Sequence, residues 1–461
     1  MMNRTCVLGT VVALAVVVGA AGQTPAPSQP ATPNKPTTPS GPTSPSAPAK
    51  PDSAKPDAAK PAGMALPKLA PSVQLKRNDV VAADKVKVDD KALEDAVKRG
   101  VAVLLELQEG DAKSEWPYEG VYRAQGEVPV GYRIGGTSIT AIALMRAPGF
   151  AGDGPRKAAV ERAATFVCKA VQHPLMSIDD YDAGYDVRGW GYTYGLMFLL
   201  EAKEAKALPE KLAADVEKTI RFCLDGVQRT VIPEAGGWNY ARPTGKDKPA
   251  GPSPFMTGPT LIALFEAKKA GYAVDEKIVS DALKFMAAAR GPGPDRTVVY
   301  SGLANERSVK GSGAPGASGR MCVTEVTLTL AGQGNVDNLR NAVETFIKNW
   351  DQLDVRRMMT GTHIPPYSVA PYYFMYAHYF AAQAVEMLPE AERAGYREKI
   401  NKLLFSVRRE DGSWNDRIFK RSGGYGTSMA ILAILQPKLP APVKWEAPKK
   451  AAEVEEGVVS R

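Results

Sequence analysis

The sequence predicts an all-α protein, an (α/α)6 toroid of six helix pairs that follows a signal peptide and a proline-rich, disordered linker. Three observations lead to this fold class. After residue 90 the chain offers, six times, an amphipathic helix, a Gly/aromatic or polar loop, and a more uniformly apolar helix. Residues 91–436 give about 58 residues per repeat, which is what two helices and two loops need. The second helix of each pair is apolar nearly all round, so it must be enclosed.

Six enclosed helices, each preceded by a half-exposed one, are most economically arranged as two concentric rings. The alternative is a linear helical solenoid, which also repeats helix pairs. A solenoid exposes one face of every helix to solvent. The second helices have almost no polar face that could be exposed in this way. We therefore expect the rings to close, with the last pair touching the first.

The composition is that of a globular protein, with 461 residues of which 44% are hydrophobic and 23% charged. It excludes a collagen-like, a fully disordered and a multi-span membrane protein. The formal net charge is +8, and half of this excess lies in residues 1–90. The folded part is thus nearly neutral, so the sequence predicts no nucleic-acid partner and no surface for anionic membranes.

Residues 1–22 have the composition of a secretory signal peptide, with the charge of Arg4, an apolar run from residue 7 to 18 and small residues from 19 to 22. The run is short for a membrane anchor. We expect an exported protein, secreted, periplasmic or associated with the cell envelope, with no integral membrane span after signal cleavage. The cysteines that remain, Cys168, Cys223 and Cys322, are odd in number, so at least one thiol is unpaired.

Residues 23–90 form the predicted linker, which is rich in Pro, Ala and Lys. Prolines recur at every third position from Pro30 to Pro51, which is the period of polyproline II and suits an extended spacer across a layer of the cell envelope. An inert linker without a required length is the alternative. At the other end of the chain, residues 437–461 are predicted to be a polar tail.

The toroid itself is predicted over residues 91–436. In residues 398–405 the apolar positions recur at helical spacing and charges occupy the other side, so this helix has one solvated face. Residues 258–265 and 428–435 are apolar nearly all round and represent the enclosed helices. The first helices of the six pairs begin near Leu93, Ala158, Leu212, Lys277, Asn338 and Arg393. Their partners begin near Thr137, Thr193, Thr257, Thr324, Tyr372 and Thr427.

Three loops between these helices carry a recurrent Gly and Trp pattern: Gly-Gly-Trp-Asn-Tyr at 236–240, Asp-Gly-Ser-Trp-Asn-Asp at 411–416 and Arg-Gly-Trp-Gly-Tyr at 188–192. They resemble the prenyltransferase/squalene-oxidase repeat of the terpenoid cyclase and protein prenyltransferase superfamily, and the likeness covers residues 91–436. The resemblance implies a six-pair α/α toroid in which Gly permits a tight turn and Trp plugs the gap between successive pairs. It implies much less about activity, because function belongs to sites and not to folds.

The resemblance also allows metal and thioester chemistry to be tested on the sequence. Protein prenyltransferases hold zinc with an Asp-x-Cys pair and a later His. Here Cys322 opens the apolar helix of the fourth pair, but Arg320 stands two residues before it and would repel a metal ion, and His378 is available as a later ligand. We predict no metal and no cofactor, with Cys322 and His378 as weak metal candidates. Complement-type thioester domains carry Gly-Cys-Gly-Glu-Gln, whereas residues 135–138 contain no cysteine.

A cluster of carboxylates supplies the candidate catalytic residues. Ser-Ile-Asp-Asp at 177–180 is similar to the Asp-x-Asp-Asp motif of class II terpene cyclases with its first Asp lost, so Asp179 matches the proton donor and Asp180 is its neighbour. Asp182 and Asp186 follow, and clustered carboxylates raise one another's pKa, which keeps one of them a proton donor. The alternative is a solvated loop that Asp179 and Asp180 cap.

Aromatic residues in or near the loops are the candidates for ligand binding, since rings that line a concavity stack on sugars or stabilise a cation. Core packing is the alternative, because rings at helical spacing are usually buried. Acidic residues lie in the same loops, so one end of the toroid is expected to be acidic and aromatic. The ligand-binding candidates are Trp116, Tyr118, Tyr185, Trp190, Trp238 and Trp414, and the further acids are Glu115, Glu119, Asp411 and Asp416.

The loop from about residue 291 to 320 is long enough for a lid over one mouth of the toroid. It contains a Gly-x-Gly-x-x-Gly match at 311–316, but no strand-to-helix unit surrounds it, so we expect no dinucleotide there.

The repeat is intact while each catalytic signature is incomplete. The sequence therefore favours an envelope-associated binding or scaffold module whose concave mouth recognises an unknown ligand, a polymer or an envelope component. The alternative is an enzyme, cyclase-like and acting on an isoprenoid or else polysaccharide-active, with Asp179 or Asp180 as general acid.

Overall fold

The computed structural model describes residues 66–124, 126–179, 187–240, 251–302 and 306–446. Within these residues the chain forms thirteen α-helices and no β-strand, which confirms the all-α prediction. The helices are α1 (Asp90–Leu107), α2 (Val130–Arg146), α3 (Gly154–Ala170), α4 (Arg188–Glu204), α5 (Ala213–Arg229), α6 (Pro254–Lys269), α7 (Glu276–Ala288), α8 (Glu306–Leu330), α9 (Val336–Lys348), α10 (Trp350–Asp354), α11 (Tyr373–Val385), α12 (Glu390–Phe405) and α13 (Gly423–Leu435).

Twelve of these helices form two concentric rings. The inner ring consists of α2, α4, α6, α8, α11 and α13, and each packs against the next. The last inner helix, α13, packs against both α2 and α1, so the ring closes. The outer ring consists of α1, α3, α5, α7, α9 and α12, while α10 is a short turn of helix between α9 and α11. The fold is therefore the predicted (α/α)6 toroid and not an open solenoid.

Burial separates the two rings as the hydrophobic pattern predicted. Every residue of α13 is buried, and Ile431 is 0% exposed. In α12 only Ile400 and Leu404 are buried, and the other positions face solvent wholly or in part. Apolar burial of the inner ring against the outer ring is thus the main source of stability.

Several outer helices begin at a side chain that caps the first turn. Asp89 and Asp153 each accept a hydrogen bond from the backbone N–H three residues on, at 2.8 and 3.0 Å. Asp275 and Asn335 cap α7 and α9 in the same way. Such caps satisfy N–H groups that the helix itself leaves free. The inner helices α2, α4, α6, α11 and α13 begin without a side-chain cap, in the loops that arrive from the outer ring.

Three tryptophans fix these loops to both rings. The backbone N–H of Trp116, Trp238 and Trp414 donates to a threonine Oγ1 of the following inner helix at 2.9, 3.0 and 3.1 Å. Each indole Nε1 donates to a carbonyl in the last turn of the preceding outer helix, at 2.6, 2.8 and 2.8 Å. The threonines are Thr137, Thr257 and Thr427, and the carbonyls are those of Leu104, Val227 and Leu404. These indoles lie between the two helices of one pair and not between successive pairs as the resemblance implied, and Trp190, in the third of the quoted loops, lies in α4 instead.

The loops from outer to inner helices gather at one end of the toroid, which we call the loop end. The segment from residue 66 to 89 also lies against this part of the molecule, although the sequence assigned it to the linker. The Leu75 N–H donates to the Ile418 carbonyl and the Lys420 N–H to the Val73 carbonyl, both at 2.8 Å. Because these backbone groups pair with the last loop, the folded part begins earlier than residue 91.

The start of the predicted tail is also packed. The Trp445 N–H donates to the Leu330 carbonyl at 2.9 Å, and its ring lies 5.4 Å from that of Phe265. The signal peptide, residues 23–65 of the linker and residues 447–461 of the tail lie outside the described residues.

The predicted lid loop is largely helical. Helix α8 starts at Glu306 and is broken at Gly313, where φ is +53°. Glycine adopts this left-handed conformation without the steric penalty of a side chain, so the chain turns there and resumes the helix. The Gly-x-Gly-x-x-Gly match therefore lies within α8.

No helix in the described ranges is long and apolar enough to cross a bilayer. Within the same ranges Cys168, Cys223 and Cys322 are buried free thiols.

Candidate functional site

A narrow cavity of about 20 Å³, enough for about one water molecule, opens at the loop end, close to the axis of the toroid. All eight residues that line it are aromatic, and six of them are tyrosines. They come from the first turns of five inner helices and from loops that lead into them, so five of the six repeats contribute to one wall. The lining residues are Tyr118, Tyr132, Trp190, Tyr240, Phe255, Tyr372, Tyr376 and Tyr425.

The rings on one side of the cavity pack around Tyr118, edge to face with Tyr132 and tilted with Trp190 and Tyr425. Its ring centroid lies 5.2 Å from that of Tyr132, 5.3 Å from Trp190 and 4.7 Å from Tyr425. On the other side, Phe255 occupies the equivalent central place among tyrosines of α11. Packing of this kind holds each ring in one orientation, so the cavity wall is preorganised.

One carboxyl group lies directly behind this wall. Asp416 is 0% exposed, and its Oδ2 accepts a hydrogen bond from the Tyr118 hydroxyl at 3.0 Å. The Tyr118 oxygen in turn accepts from Arg417 Nε at 3.0 Å. Asp416 Oδ1 has no hydrogen-bond partner among the described residues. Burial raises the pKa of Asp416 to about 7, although the nearby Arg417 charge opposes the shift. Near neutral pH this carboxyl therefore exists in both protonation states.

Two other acids of the loop end, Glu115 and Glu119, are paired with arginines. Glu115 forms a bidentate pair with Arg133 at 2.5 and 2.7 Å. Glu119 pairs with Arg421 and Arg123, each at 2.6 Å. These carboxylates tie loops to inner helices and offer no free negative charge at the cavity.

The structure divides the predicted ligand-binding residues into two groups. Tyr118 and Trp190 line the cavity as predicted. Trp116, Trp238 and Trp414 do not, because their indoles point between paired helices and donate to outer-helix carbonyls. Tyr185 lies outside the described residues.

Asp179 is the predicted catalytic carboxylate that the described residues include, and it lies away from the cavity. The Asp179 side chain is 80% exposed and forms a surface ion pair with Arg229. This placement resembles the solvated-loop alternative and gives Asp179 no contact with the cavity. Asp180, together with Asp182 and Asp186, lies outside the described residues.

The weak metal candidates are buried in separate packing environments. Cys322 is 1% exposed, and burial raises the pKa of its thiol. His378 Nε2 accepts a hydrogen bond from Trp350 Nε1 at 2.8 Å, and burial lowers the pKa of this histidine to about 3. In the described part of the chain no group of three or more His, Cys, Asp and Glu side chains could hold a metal ion.

Sequence reasoning missed most of the cavity wall. Tyr132, Tyr425 and Phe255 precede the predicted starts of their inner helices and are not among the predicted ligand-binding residues, and Asp416 is predicted only as one acid among several. A usable signal was present, since an aromatic residue stands in the first turn of almost every inner helix, where the inner ring opens at the loop end. Recognising Asp416 required its burial, which no local pattern shows.

Comparison with known proteins supports the fold. An unsaturated glucuronyl hydrolase from Streptococcus agalactiae is similar to 80% of this chain and 100% of its own, with a TM-score of 0.51 and 11% identity. An unsaturated glucuronyl hydrolase from Bacillus sp. GL1 has a TM-score of 0.49 with 14% identity, covering 77% of this chain and 98% of its own. A family 76 mannosidase from Bacteroides thetaiotaomicron has a TM-score of 0.45 with 10% identity, covering 75% and 99%. No protein-family model and no curated protein matches the sequence. At 11% identity the first likeness shows the shared α/α-toroid fold alone.

Proposed function

We propose that the protein is a carbohydrate-active enzyme that binds a sugar ring at the mouth of the aromatic cavity at the loop end. The observation that carries this proposal is the wall of eight rings, six of them tyrosines, with a buried carboxyl group directly behind it. Ring faces stack on the C–H faces of a sugar, and phenol hydroxyls bond to its hydroxyl groups. This proposal replaces the binding or scaffold module, because a purely binding cavity has no need for a buried acid.

Asp416 and Tyr118 supply the proton in this proposal. When Asp416 is protonated on Oδ2, it donates to the Tyr118 oxygen, and the Tyr118 hydroxyl turns its own proton toward the cavity. That proton passes to the glycosidic oxygen as the C–O bond breaks, and water adds to the sugar carbon and releases a proton. A proton donor is most effective when its pKa is near the working pH, which the burial of Asp416 provides.

The proposal predicts that removing either group abolishes turnover. Asp416→Asn keeps the volume of the side chain but carries no acidic proton, and Tyr118→Phe breaks the path to the cavity. We expect each to lower kcat by about 100-fold or more, with the wild-type rate falling as pH rises above about 7. Reducing-end release from neutral and uronate-containing oligosaccharides is the measurement.

Asp179→Asn is the matched control, because it removes a surface carboxylate with the same chemistry. It should retain wild-type activity. If Asp179→Asn were inactive while Asp416→Asn kept full activity, the assignment of the proton donor would be reversed.

A cyclase-like activity on an isoprenoid is the second candidate, as the repeat resemblance implied. Its supporting observation is that aromatic faces next to a proton donor also stabilise a carbocation. Six phenol groups argue against a hydrocarbon ligand, since polar groups next to an apolar chain lose their hydrogen bonds to water. Turnover of squalene or a polyprenyl substrate that depends on Asp416 would favour this candidate over the first.

Export and attachment to the cell envelope remain part of the proposal. They rest on the signal-like composition of residues 1–22 and on the proline spacing that follows. The natural ligand would then be an envelope or extracellular polymer. N-terminal sequencing of protein recovered from the producing cells tests whether the signal is removed.

A further inference from the structure

The proton that water releases in the proposed reaction needs an acceptor at the cavity. Inverting glycosidases use a second carboxylate for this purpose. The eight residues that line the cavity are all aromatic, so no carboxylate of the described chain stands on its wall. Asp416, behind the wall, already has the role of donor. The acceptor must therefore be reached through one of the tyrosines.

A hydrogen-bonded group of side chains leads away from the Phe255 side of the cavity. Tyr372 lines the cavity there, and its ring centroid lies 5.5 Å from that of Phe255. The Tyr372 hydroxyl lies 2.9 Å from the Tyr300 hydroxyl and 3.1 Å from His363 Nε2. The Tyr373 hydroxyl is also 3.1 Å from this nitrogen. The phenol group of a cavity residue is thus in hydrogen-bond contact with an imidazole.

His363 connects the Tyr372 hydroxyl to solvent. It lies between α10 and α11 and is half-buried, so the residue contacts both the tyrosine hydroxyls and the surface. An imidazole takes up and releases protons at its ring nitrogens near neutral pH. A proton that arrives at Nε2 therefore has a path out of the protein.

The surroundings of His363 keep it unprotonated at neutral pH. Burial lowers the pKa of His363 to about 4, and three positive charges contribute to the same shift. An ordinary carboxylate has a similar pKa, so an imidazole in this environment can replace the usual carboxylate base. The ionisable groups that surround the ring are Arg320, Arg356, Arg417, Tyr300, Tyr372 and Tyr373.

The cavity has room for the water that such a base activates. Its volume of about 20 Å³ suffices for about one water molecule, and Tyr118 and Tyr372 both line it. Arg417 fixes the two tyrosines relative to each other, because its Nε donates to the Tyr118 oxygen at 3.0 Å and its guanidinium carbon lies 5.5 Å from the Tyr372 ring centroid. Its charge also stabilises negative charge that develops on the Tyr372 oxygen.

We infer that Tyr372 and His363 act together as the base of the reaction. The inference rests on the proposed carbohydrate function and adds the residues that activate water. The water oxygen bonds to the sugar carbon and gives its proton to the Tyr372 oxygen, while the Tyr372 hydroxyl proton passes to His363 Nε2. The glycosidic C–O bond breaks, and its electron pair takes the proton from Tyr118. The imidazolium then releases a proton to solvent.

Two variants separate the roles of the pair. His363→Gln places an amide oxygen near the position of Nε2, so it keeps the hydrogen bond from Tyr372 but has no basic nitrogen. We expect it to lower kcat for reducing-end release from the same oligosaccharides by about 100-fold and to leave KM unchanged, because His363 does not contact the sugar. Tyr372→Phe keeps the ring and loses the hydroxyl, and it should lower kcat by a similar factor.

His173→Asn is the matched control. His173 is half-buried in the loop before α4, away from the cavity wall, and its Nδ1 accepts a hydrogen bond from the Leu175 N–H at 3.1 Å. Asparagine places an oxygen at the position of Nδ1 and so keeps this acceptor. The variant should have the kcat and KM of the wild type.

The pH profile distinguishes proton transfer from a purely structural role of His363. A protonated imidazole accepts no proton, so the wild-type rate should fall as pH decreases through about 4. The rate at pH 4 should be about half of that at pH 6. His363→Gln should lose this decline and keep the one above about pH 7, which belongs to Asp416. Circular dichroism at pH 4 checks that both proteins are folded.

Nuclear magnetic resonance tests the pair without a substrate. The chain contains three histidines, so ¹⁵N labelling of histidine gives few signals, and His363→Gln identifies those of His363. We expect the neutral ring to carry its proton on Nδ1, and the Nε2 signal to shift in Tyr372→Phe. A neutral ring with its proton on Nε2 would overturn the inference, because that nitrogen could not accept from Tyr372.

Failure of the inference is distinguishable from failure of the proposed function. If turnover depends on Asp416 while His363→Gln keeps the wild-type kcat, the base is another group and the carbohydrate function stands. A reduced kcat with an unchanged decline toward pH 4 would give His363 a structural role alone and would also overturn the inference. If the wild type turns over none of the oligosaccharides, both fall. If His363→Gln does not fold, the wild-type pH profile and the Nε2 signal decide the matter.

Discussion

Asp416 and Asp179 differ in environment far more than in sequence context. Asp179 stands in a motif-like run of carboxylates, yet its side chain faces solvent beside Arg229. Asp416 follows Trp414 in a loop whose pattern indicates structure, yet it is enclosed and bonded to a residue of the cavity wall. Burial shifts a carboxyl pKa strongly and spacing alone does not, so the proposed function assigns the proton donor to Asp416 and not to Asp179.

The buried state of Asp416 predicts a pH-dependent stability. Its pKa is about 7 in the folded chain and about 4 when unfolded, so between these values the folded state holds a proton that the unfolded chain releases. The stabilisation that this proton gives to the folded state is fully present below about pH 4 and is lost as pH rises through about 7. Asp416→Asn lacks this titration and should be more stable than the wild type at pH 8, by roughly 2–4 kcal/mol.

Urea unfolding at pH 4.5 and pH 8 is the measurement. Other carboxyls with raised pKa values, such as Glu266, contribute to both proteins, so the difference between variant and wild type isolates Asp416. A difference that stays constant from pH 4.5 to pH 8 would show that Asp416 has an ordinary pKa.

The aromatic residues also show that residue type and position in the sequence do not determine the environment of a side chain. Tyr118 and Trp116 stand two positions apart in one loop and are both buried, but one lines the cavity and the other plugs the helix pair. The sequence predicted both functions for such residues. It could not assign them, because burial against a helix and burial at a cavity select the same residue types.

At the scale of elements, the inner helices begin earlier than the sequence predicted. In the first, second, third and sixth pairs they start three to seven residues before the predicted threonine, since glycines and aromatic residues were assigned to the loops. Those glycines are needed where another backbone comes close. A Cβ on Gly136 would lie 2.5 Å from the Trp116 carbonyl oxygen, and one on Gly426 would meet the Trp414 carbonyl in the same way.

These contacts predict that Gly136→Ala and Gly426→Ala destabilise the toroid. The added methyl group must push the tryptophan loop away from the inner helix, with a loss of about 2–3 kcal/mol in the free energy of unfolding. Gly395→Ala is the control, because its Cβ would meet no atom within 4 Å on α12. It should stabilise the protein by about 0.5–1 kcal/mol. Thermal unfolding measures all three, and a neutral Gly136→Ala would contradict the close approach.

At the scale of the whole molecule, charged groups fasten the last repeat to the first. Arg421, just before α13, pairs with Glu119 at 2.6 Å and with Glu109, both in the loop after α1. The Glu119 side chain is 1% exposed and that of Arg421 is 8% exposed. Removing Arg421 leaves the buried Glu119 with Arg123 as its one ion-pair partner among the described residues and takes away the partner of Glu109, which is unfavourable. The pair therefore reinforces the apolar contact of α13 with α2.

Arg421→Met should lower the free energy of unfolding by about 3–5 kcal/mol. Arg340→Met is the control, because Arg340 and Glu392 form a bidentate pair of similar length on the outer ring with about 30% of each side chain exposed. Such an exposed pair contributes less than about 1 kcal/mol. Guanidinium unfolding measures the stability of both variants. If Arg421→Met lost no more free energy of unfolding than Arg340→Met, the closing contact would depend on apolar packing alone.

The sequence by itself determined the all-α class, the six helix pairs, the enclosed inner ring and the Gly and Trp loops. These features follow from the periodicity of apolar residues and from the spacing of Gly and Trp within each repeat, so a local pattern suffices to predict them. Only the tertiary structure decided the site, because the cavity wall draws on five repeats and its chemistry depends on distant partners. Tyr118 and Asp416 are 298 residues apart in sequence and 3.0 Å apart in space. Whether a buried arginine such as Arg133 meets a carboxylate such as Glu115 is likewise decided by contacts that form when the chain folds.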